Sequence, residues 1–354
     1  MYMFKYICKR VSLMLMVFTV IFVTCFVLIR LVPINTSVGL GQDKDILMAQ
    51  IESRGYNDPI PEQLFNYVKN AVSGVVKTVT TGDFDNFLNG FGQAYDKMPN
   101  IKMGTPVMKV FIERLPPSIL INIYSSLFAV PIGIALGIFA ALKKNKWQDH
   151  VISTAVMVVI SVPSFVYGSL FLYVVCFKLG LLPKQLESLI NISNLYGIPY
   201  VPLSPNWELY FNKEMFLSML PAVLCMSFGS IAGYTRFTRA ELTEVLTSEF
   251  MLLARTKGLT KSQATVRHAL RNAMVPIFPS IIGEFLSVLS GSLVIEKIFS
   301  IPGVGALYLN AINAQDYDFF MLLSSFYLIV GLAAGLVIDL SYGFIDPRIR
   351  MGAK

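Results

Sequence analysis

Charge is scarce in this chain. Asp, Glu, Lys and Arg make up 14% of its 354 residues against 55% apolar ones, and the mean hydropathy is +0.61. These values lie outside the range of ordinary soluble domains, so lipid is the expected solvent. Histidine is scarcer still: His150 and His268 have no ligand cluster around them, which argues against a metal centre and leaves both as interfacial structural residues. Four cysteines, Cys8, Cys25, Cys176 and Cys225, sit in or beside apolar runs and none lies in the outer polar stretches, so no disulfide framework is implied. The chain has no Gly-x-x-x-x-Gly-Lys-Ser/Thr, and so no loop of its own to cradle ATP phosphates. No catalytic constellation of any class is visible, and the chain is not read as an enzyme. Solenoid repeats and low-complexity tracts are missing too. The net charge of +7 is spread over short loops with no aromatic platform between them, which argues against nucleic acid as a partner.

What the chain does have is apolar runs of about twenty residues, the length of helix that crosses ~30 Å of hydrocarbon. They cover 11–29, 118–142, 151–177, 215–234, 276–295 and 319–345. The expected fold is an all-α membrane protein of six transmembrane helices. The first run exceeds a signal-peptide core, Arg30-Leu31-Val32-Pro33 offers no small-residue cleavage site, and Phe22-Val23-Thr24 does not suit lipoprotein processing at Cys25. It is therefore expected to stay in place as a span. An even number of spans puts both termini on one side, and the basic residues choose that side as cytoplasmic. Lys5, Lys9 and Arg10, then Lys143, Lys144 and Lys146, then Arg348, Arg350 and Lys354 all fall on the same face. The 236–275 stretch joins them with Arg236, Arg239, Arg255, Lys257, Lys261, Arg267 and Arg271.

Residues 34–115 form the longest segment between runs, outside by that argument. Apolar residues at helical spacing predict short surface helices over 43–53 (Ile46, Leu47, Ala49, Ile51) and 62–76 (Leu64, Phe65, Val68, Ala71, Val72), with a turn at Asp58-Pro59-Ile60-Pro61 between them. The second outer stretch, 178–214, contains Pro183, Pro202 and Pro205 and reads as irregular. Three glycine pairs, Gly133/Gly137, Gly229/Gly233 and Gly331/Gly335, are spaced one turn apart, as for close helix approach. Pro163, flanked by Ser161 and Ser164, frees a carbonyl that hydroxyls or water must satisfy, and the fifth run carries Pro276, Pro279, Glu284, Ser287 and Ser290. Ser161, Pro163, Ser287 and Ser290 are the candidate lining of a polar translocation path; packing of small residues between helices is the competing reading. Glu284 and Asp339 are acids at or near hydrocarbon depth, which is the feature a stand-alone proton-coupled secondary transporter would need.

The stretch 236–272 is read as helical. Thr247 and Ser248 are possible caps for a helix over 249–257 with Phe250, Leu253 and Ala254 on one side, and Gly258 ends it in the left-handed position that glycine takes. Thr260 with Gln263 then forms a capping box that opens a second helix to Asn272. Breaks at Gly258 and Pro276 fix a geometry that contact with anionic lipid does not require. A rigid protrusion suits docking into a groove on a protein partner. Arg255 and Lys257 read as membrane-flanking cations, and Glu249 as a favourable first-turn charge on its own helix dipole.

Here the residues carry a resemblance. Glu249-Phe-Met-Leu-Leu-Ala254-Arg255-Thr256-Lys257-Gly258-Leu259, followed by Arg267-His268-Ala269-Leu270-Arg271-Asn272-Ala273 and Pro276, resembles the EAA coupling loop of binding-protein-dependent ABC importer permeases. More narrowly, it is similar to the first permease subunit of the oligopeptide/dipeptide/nickel branch. The Glu-Ala-Ala triplet itself is absent, as it commonly is in the peptide branch. Glu296-x-Ile298-Phe299-Ser300-Ile301-Pro302-Gly303-Val304-Gly305, the tail Asp346-Pro347-Arg348-Ile349-Arg350, Asn57-Asp58-Pro59-Ile60 with Tyr67, Gly82-Asp83-Phe84, and Thr105-Pro106-Val107 through Glu113-Arg114-Leu115-Pro116 extend the similarity over nearly the whole chain. The stretch 84–103 is longer than the family pattern.

The resemblance implies a type I ABC importer transmembrane domain with a partly helical extracytoplasmic loop. Residues 1–111 would be the first helix and the outer loop region, 112–345 the core with coupling loop 236–275, and 346–354 the cytoplasmic tail. It implies a multi-pass permease of the bacterial cytoplasmic membrane, both termini cytoplasmic, that translocates oligopeptides. Its partners would be a second homologous permease subunit, two ATP-binding subunits, an extracytoplasmic substrate-binding protein, the peptide and membrane lipid. No cofactor is expected in this chain; ATP and Mg would sit on the ATPase subunits. Glu249, Ala254, Arg255, Lys257, Gly258 and Leu259 would be the coupling residues. A nickel or other metal chelate, or another small solute, is the alternative cargo.

Overall fold

In hydrocarbon every backbone N–H and C=O must find its partner within the chain, and a helix does this locally. The computed structural model describes residues 2–32, 44–53, 55–94, 101–102, 104–287 and 292–345, and helices dominate it; the bridge Gln93–Pro106 is isolated. Among the described residues four helices are long and apolar enough to cross a membrane, lying within Tyr2–Leu31, Val107–Leu142, Lys213–Leu246 and Tyr317–Ile345. Each overlaps a predicted run and extends beyond it.

Two expected spans take a different form. The run 151–177 is not one straight helix but Trp147–Ser161 and Ser164–Lys178 bent by 101° at Val162-Pro163, and counting the pair as one span would make five. The extended conformation at Val162 (φ −87°, ψ 125°) and Pro163 (φ −56°, ψ 140°) makes the break, as the steric demand of proline on its predecessor requires. The expected run 276–295 begins earlier, as the helix Leu270–Ser287, and a separate helix spans Leu293–Ile298, with 288–291 outside the described residues. Pro276 is no break: it and Pro279 lie inside the helix.

The chain divides into two compact units. The first comprises Met1–Leu115, Val201–Pro205 and Ala306–Leu332. Here the predicted 62–76 helix runs from Ile60 to Thr81, with Pro61 in its first turn and Gly82 closing it at φ 71°. Its Tyr67 ring packs against Phe22 and Phe26 of the first helix, whereas Phe65, Val68 and Val72 are exposed. Gly74 meets the short helix Asp85–Asn89 so closely that a Cβ would lie 2.8 Å from the Asn86 carbonyl oxygen. The Arg30 guanidinium lies over the rings of Tyr56 (4.1 Å) and Tyr317 (4.7 Å), and the Tyr56 hydroxyl donates to Asp318 at 2.7 Å.

The second unit comprises Pro116–Tyr200, Asn206–Gly305 and Ala333–Lys354. Its main buried cluster joins Leu120 and Ile121 to Met215, Met219, Ala222 and Val223. The stretch 178–214 is not wholly irregular: helix Leu189–Tyr196 and a 3-10 turn Trp207–Tyr210 bury Ile192, Leu209 and Tyr210 in that cluster. Helix Val107–Leu142 crosses Lys213–Leu246 at Gly133 and Gly137, where an added Cβ would stand 2.6 Å from Tyr234 and Thr238 Cβ atoms. The other two glycine pairs correct the expectation of close approach. Gly233, Gly331 and Gly335 have nothing within 4 Å of such a Cβ, and Gly229 has only the Tyr167 hydroxyl at 3.6 Å.

Candidate functional site

The candidate coupling element starts where helix Lys213–Leu246 ends. The Thr247 and Ser248 hydroxyls do not cap the next helix; they donate back to the Glu244 and Val245 carbonyls at 2.9 and 2.6 Å, which satisfies the orphan acceptors of the helix they follow. Helix Glu249–Thr256 then closes on Gly258, whose φ of +89° suits a residue without Cβ. The Gly258 N–H donates to the Arg255 carbonyl at 3.0 Å and the Leu259 N–H to the Ala254 carbonyl at 3.4 Å, the paired bonds of a Schellman closure. Leu259 also packs on the cluster that contains Ala254. The capping box is present in both halves: Gln263 N–H donates to Thr260 Oγ1 and Thr260 N–H to Gln263 Oε1. The second helix does not end at Asn272. It passes from Lys261–Ala264 through a π-helical turn, Thr265–Ala269, straight into Leu270–Ser287.

The packed face of helix Glu249–Thr256 differs from the expected one. Met251 and Ala254 are buried, whereas Phe250 and Leu253 are 41% and 57% exposed, and Leu252 is 65% exposed. Met251 and Ala254 belong to one cluster with Ala141, Leu242, Ala264, Ala269 and Ala273, backed by Ile138, Val245 and Leu246. The element therefore sits on the ends of helices Val107–Leu142 and Lys213–Leu246 and on the start of Leu270–Ser287. Glu249, Arg255, Lys257 and Gly258 are exposed around it.

A polar latch between two other helices was not read from the sequence. Asp149, 1% exposed, accepts from Arg239 Nε at 2.5 Å and Nη2 at 2.8 Å, and from the Asn145 N–H at 3.0 Å. This ties helix Trp147–Ser161 to Lys213–Leu246. A third buried network explains the string 296–305. The Glu296 carboxylate, 1% exposed, accepts from the Ser118 hydroxyl (2.7 Å) and the Gly305 N–H (2.9 Å), while the Ser118 oxygen accepts from the Val304 N–H (2.8 Å). A Cβ at Gly303 would lie 2.4 Å from both side-chain oxygens. The two glycines of the string were the signal, since a carboxylate can approach backbone that closely only where no side chain intervenes.

Ser161 and Pro163 sit at the 101° bend, both exposed. Ser287 is the last described residue of its helix, and Ser290 lies outside the described residues. Glu284 accepts from Ser230 at 2.7 Å, and the Tyr234 hydroxyl donates to the Ser280 carbonyl at 3.0 Å, so helices Lys213–Leu246 and Leu270–Ser287 meet through polar pairs. Among the described residues no group of three or more His, Cys, Asp or Glu is placed to hold a metal ion.

Comparison with known proteins adds an independent observation. The family described as "Binding-protein-dependent transport system inner membrane component" matches residues 133–351. The dipeptide transport system permease protein DppB of Lactococcus lactis subsp. cremoris (strain MG1363) is 30% identical over 349 residues, covering 99% of this chain and 100% of that protein. DppB of Bacillus subtilis (strain 168) is 28% identical, covering 99% and 100%. The glutathione transport system permease protein GsiC of Escherichia coli (strain K12) is 28% identical, covering 98% and 99%.

Proposed function

Because the chain belongs to the binding-protein-dependent transport system inner membrane components, and is an ABC importer permease of the dipeptide/oligopeptide type, we propose that it carries peptides across the cytoplasmic membrane, driven by separate ATPase subunits that grip residues 249–259. One observation supports this most: the 249–259 element is closed by hydrogen bonds, seated on three helices and exposes Phe250, Leu252 and Leu253. Large apolar side chains left uncovered on a rigid support suit burial in a partner cleft, each worth about 1.5–3 kcal/mol. Arg255 and Lys257 flank them and would pair with acids on the ATPase; Glu249 would meet its edge. A push on this element reaches the helices beneath it through Met251, Ala254 and Leu259. Rigid helices then tilt together and access alternates between the two sides.

The partners proposed are two ATPase subunits holding ATP and Mg, a second homologous permease and an external binding protein. The relatives named for dipeptide and glutathione transport support a short-peptide cargo, and lend nothing to a nickel chelate. Family membership sets aside a transporter acting alone. Ser161, Pro163, Ser287 and Ser290 are proposed to line the path, and both termini to face the cytoplasm.

The experiment is reconstitution with the partner subunits and a receptor loaded with radiolabelled dipeptide, comparing the parent with Gly258→Pro. Proline cannot reach φ +89° and removes the N–H that closes the helix. The expected result is ATP hydrolysis that no longer rises with loaded receptor, and loss of uptake. Unchanged stimulation would overturn the coupling assignment.

A further inference from the structure

A groove of about 520 Å³ opens where helix Val107–Leu142 ends and the segment after Thr260 begins. Ile138, Leu142, Val266 and Leu270 give it an apolar lining, and Lys143, Lys261 and Ser262 a polar one. The remaining lining residue, Thr265, donates its hydroxyl to the Lys261 carbonyl at 2.8 Å. None of the lining residues is acidic. Leu142 and Val266 are 44% and 63% exposed, so the groove presents large apolar side chains that the chain itself leaves uncovered. The π-helical turn Thr265–Ala269 forms part of this wall, a local widening of the kind that recurs at functional positions in helices.

The groove's depth follows from the chain. Leu142 is the last residue of a helix long and apolar enough to cross the membrane, and Lys143, Lys144 and Lys146 follow at once. With that helix crossing the membrane, the apolar lining would meet the ends of the acyl region and the lysines the headgroups. A free phosphate would engage the ammonium groups and leave the apolar wall wet. A zwitterionic lipid would bring its own cation to a rim that already carries lysines and no carboxylate. An occupant with a negative head and an apolar tail meets both halves of the site.

We propose that this groove binds one anionic phospholipid, its phosphate at Lys143 and Lys261 and an acyl chain along Ile138, Leu142, Val266 and Leu270. The bound lipid would wedge between the end of one span and the segment after Gly258, where it can tune how the two move. The site rests on the chain being a membrane protein, not on the coupling assignment.

The test uses the full chain purified in mild detergent and exposed to phosphatidylglycerol or phosphatidylcholine, with retained lipid counted by native mass spectrometry. Phosphatidylglycerol is expected to be retained at least five-fold over phosphatidylcholine. Lys143→Gln with Lys261→Gln should erase that preference, while Lys144→Gln with Lys146→Gln, off the groove lining, should keep it. Equal retention of both lipids, an unchanged Lys143/Lys261 double variant, or displacement of the lipid by millimolar inorganic phosphate would each overturn the proposal. A cysteine at Val266 gives a second reading: phosphatidylglycerol alone should slow its modification, and protection that needs the ATPase subunits instead would assign the groove to a protein. A parent chain that shows no preference for phosphatidylglycerol but keeps receptor-stimulated hydrolysis counts against this site only, and the reverse against the coupling assignment only.

Discussion

At residue scale, the positions that decide most are those where a single atom settles the outcome. Gly258 has φ +89° and nothing within 4 Å of an added Cβ, so a substitution there is limited by backbone conformation and not by space. Alanine should cost about 1 kcal/mol and a β-branched residue more. Receptor-stimulated ATP hydrolysis is expected to fall in the order Gly, Asn, Ala, Val at this position. Tyr67 makes the opposite case. Its hydroxyl is buried and has no hydrogen-bond partner among the described residues, and burial first, then the charge of Asp318, push its pKa far above the ordinary 10.0, offset in part by Arg30. Below pH 10 the hydroxyl is protonated in both folded and unfolded chains and pH has no effect through it. Above pH 10 the unfolded chain ionises and the folded one does not, so stability falls as pH rises. Tyr67→Phe should remove that fall and raise stability at neutral pH by about 1 kcal/mol, the cost of an unpaired buried hydroxyl being ~1–3 kcal/mol. Thermal unfolding in detergent at pH 7.5 and 10.5 reads both effects.

At the scale of elements, contacts between helices are made by small residues and by a few buried polar groups. Gly137→Leu is expected to separate helices Val107–Leu142 and Lys213–Leu246, because even its Cβ would stand 2.6 Å from the Thr238 Cβ and 2.7 Å from the Thr235 carbonyl oxygen. Gly233→Leu, with open space where its Cβ would stand, should leave the unfolding temperature of the isolated chain nearly unchanged. The predicted contrast, a loss of about 1–3 kcal/mol in one variant and little in the other, can be read by fluorescence-detected thermal unfolding. Glu296 offers a graded test. The Ser118 hydroxyl and the Gly305 N–H donate to separate carboxylate oxygens, so Glu296→Ala leaves both without their acceptor, whereas Glu296→Gln keeps an oxygen for one of the two. The first should destabilise by roughly 3 kcal/mol and the second by less, since an abandoned buried donor costs more than a weakened bond.

At the scale of the whole molecule, the placement of charge makes the boldest claim. On the proposed topology Lys143, Lys144 and Lys146 and the 249–259 element share the cytoplasmic side, and Lys77 of helix Ile60–Thr81 lies outside. Cysteines placed singly at Lys143, Lys257 and Lys77, in a chain whose native cysteines are replaced, are expected to divide accordingly. An impermeant maleimide added to intact cells should label only the last. Labelling of Lys257→Cys from outside would reverse the topology and remove the ATPases from reach.

Four of the expected spans and the 249–263 string were legible because each rests on local physics: run length against hydrocarbon thickness, a glycine at a left-handed cap, a threonine and a glutamine three residues apart. These need no distant partner. The Asp149–Arg239 latch and the Glu296 network needed partners 90 and 178 residues away, and the buried face of Met251 and Ala254 needed a cluster that includes the distant Ala141; no periodicity reports those. The 101° bend shows the boundary between the two kinds of information. Pro163 announced in the sequence that a hydrogen bond would be missing, but how far the two helices turn apart depends on what each packs against, and that is settled only when the chain has folded.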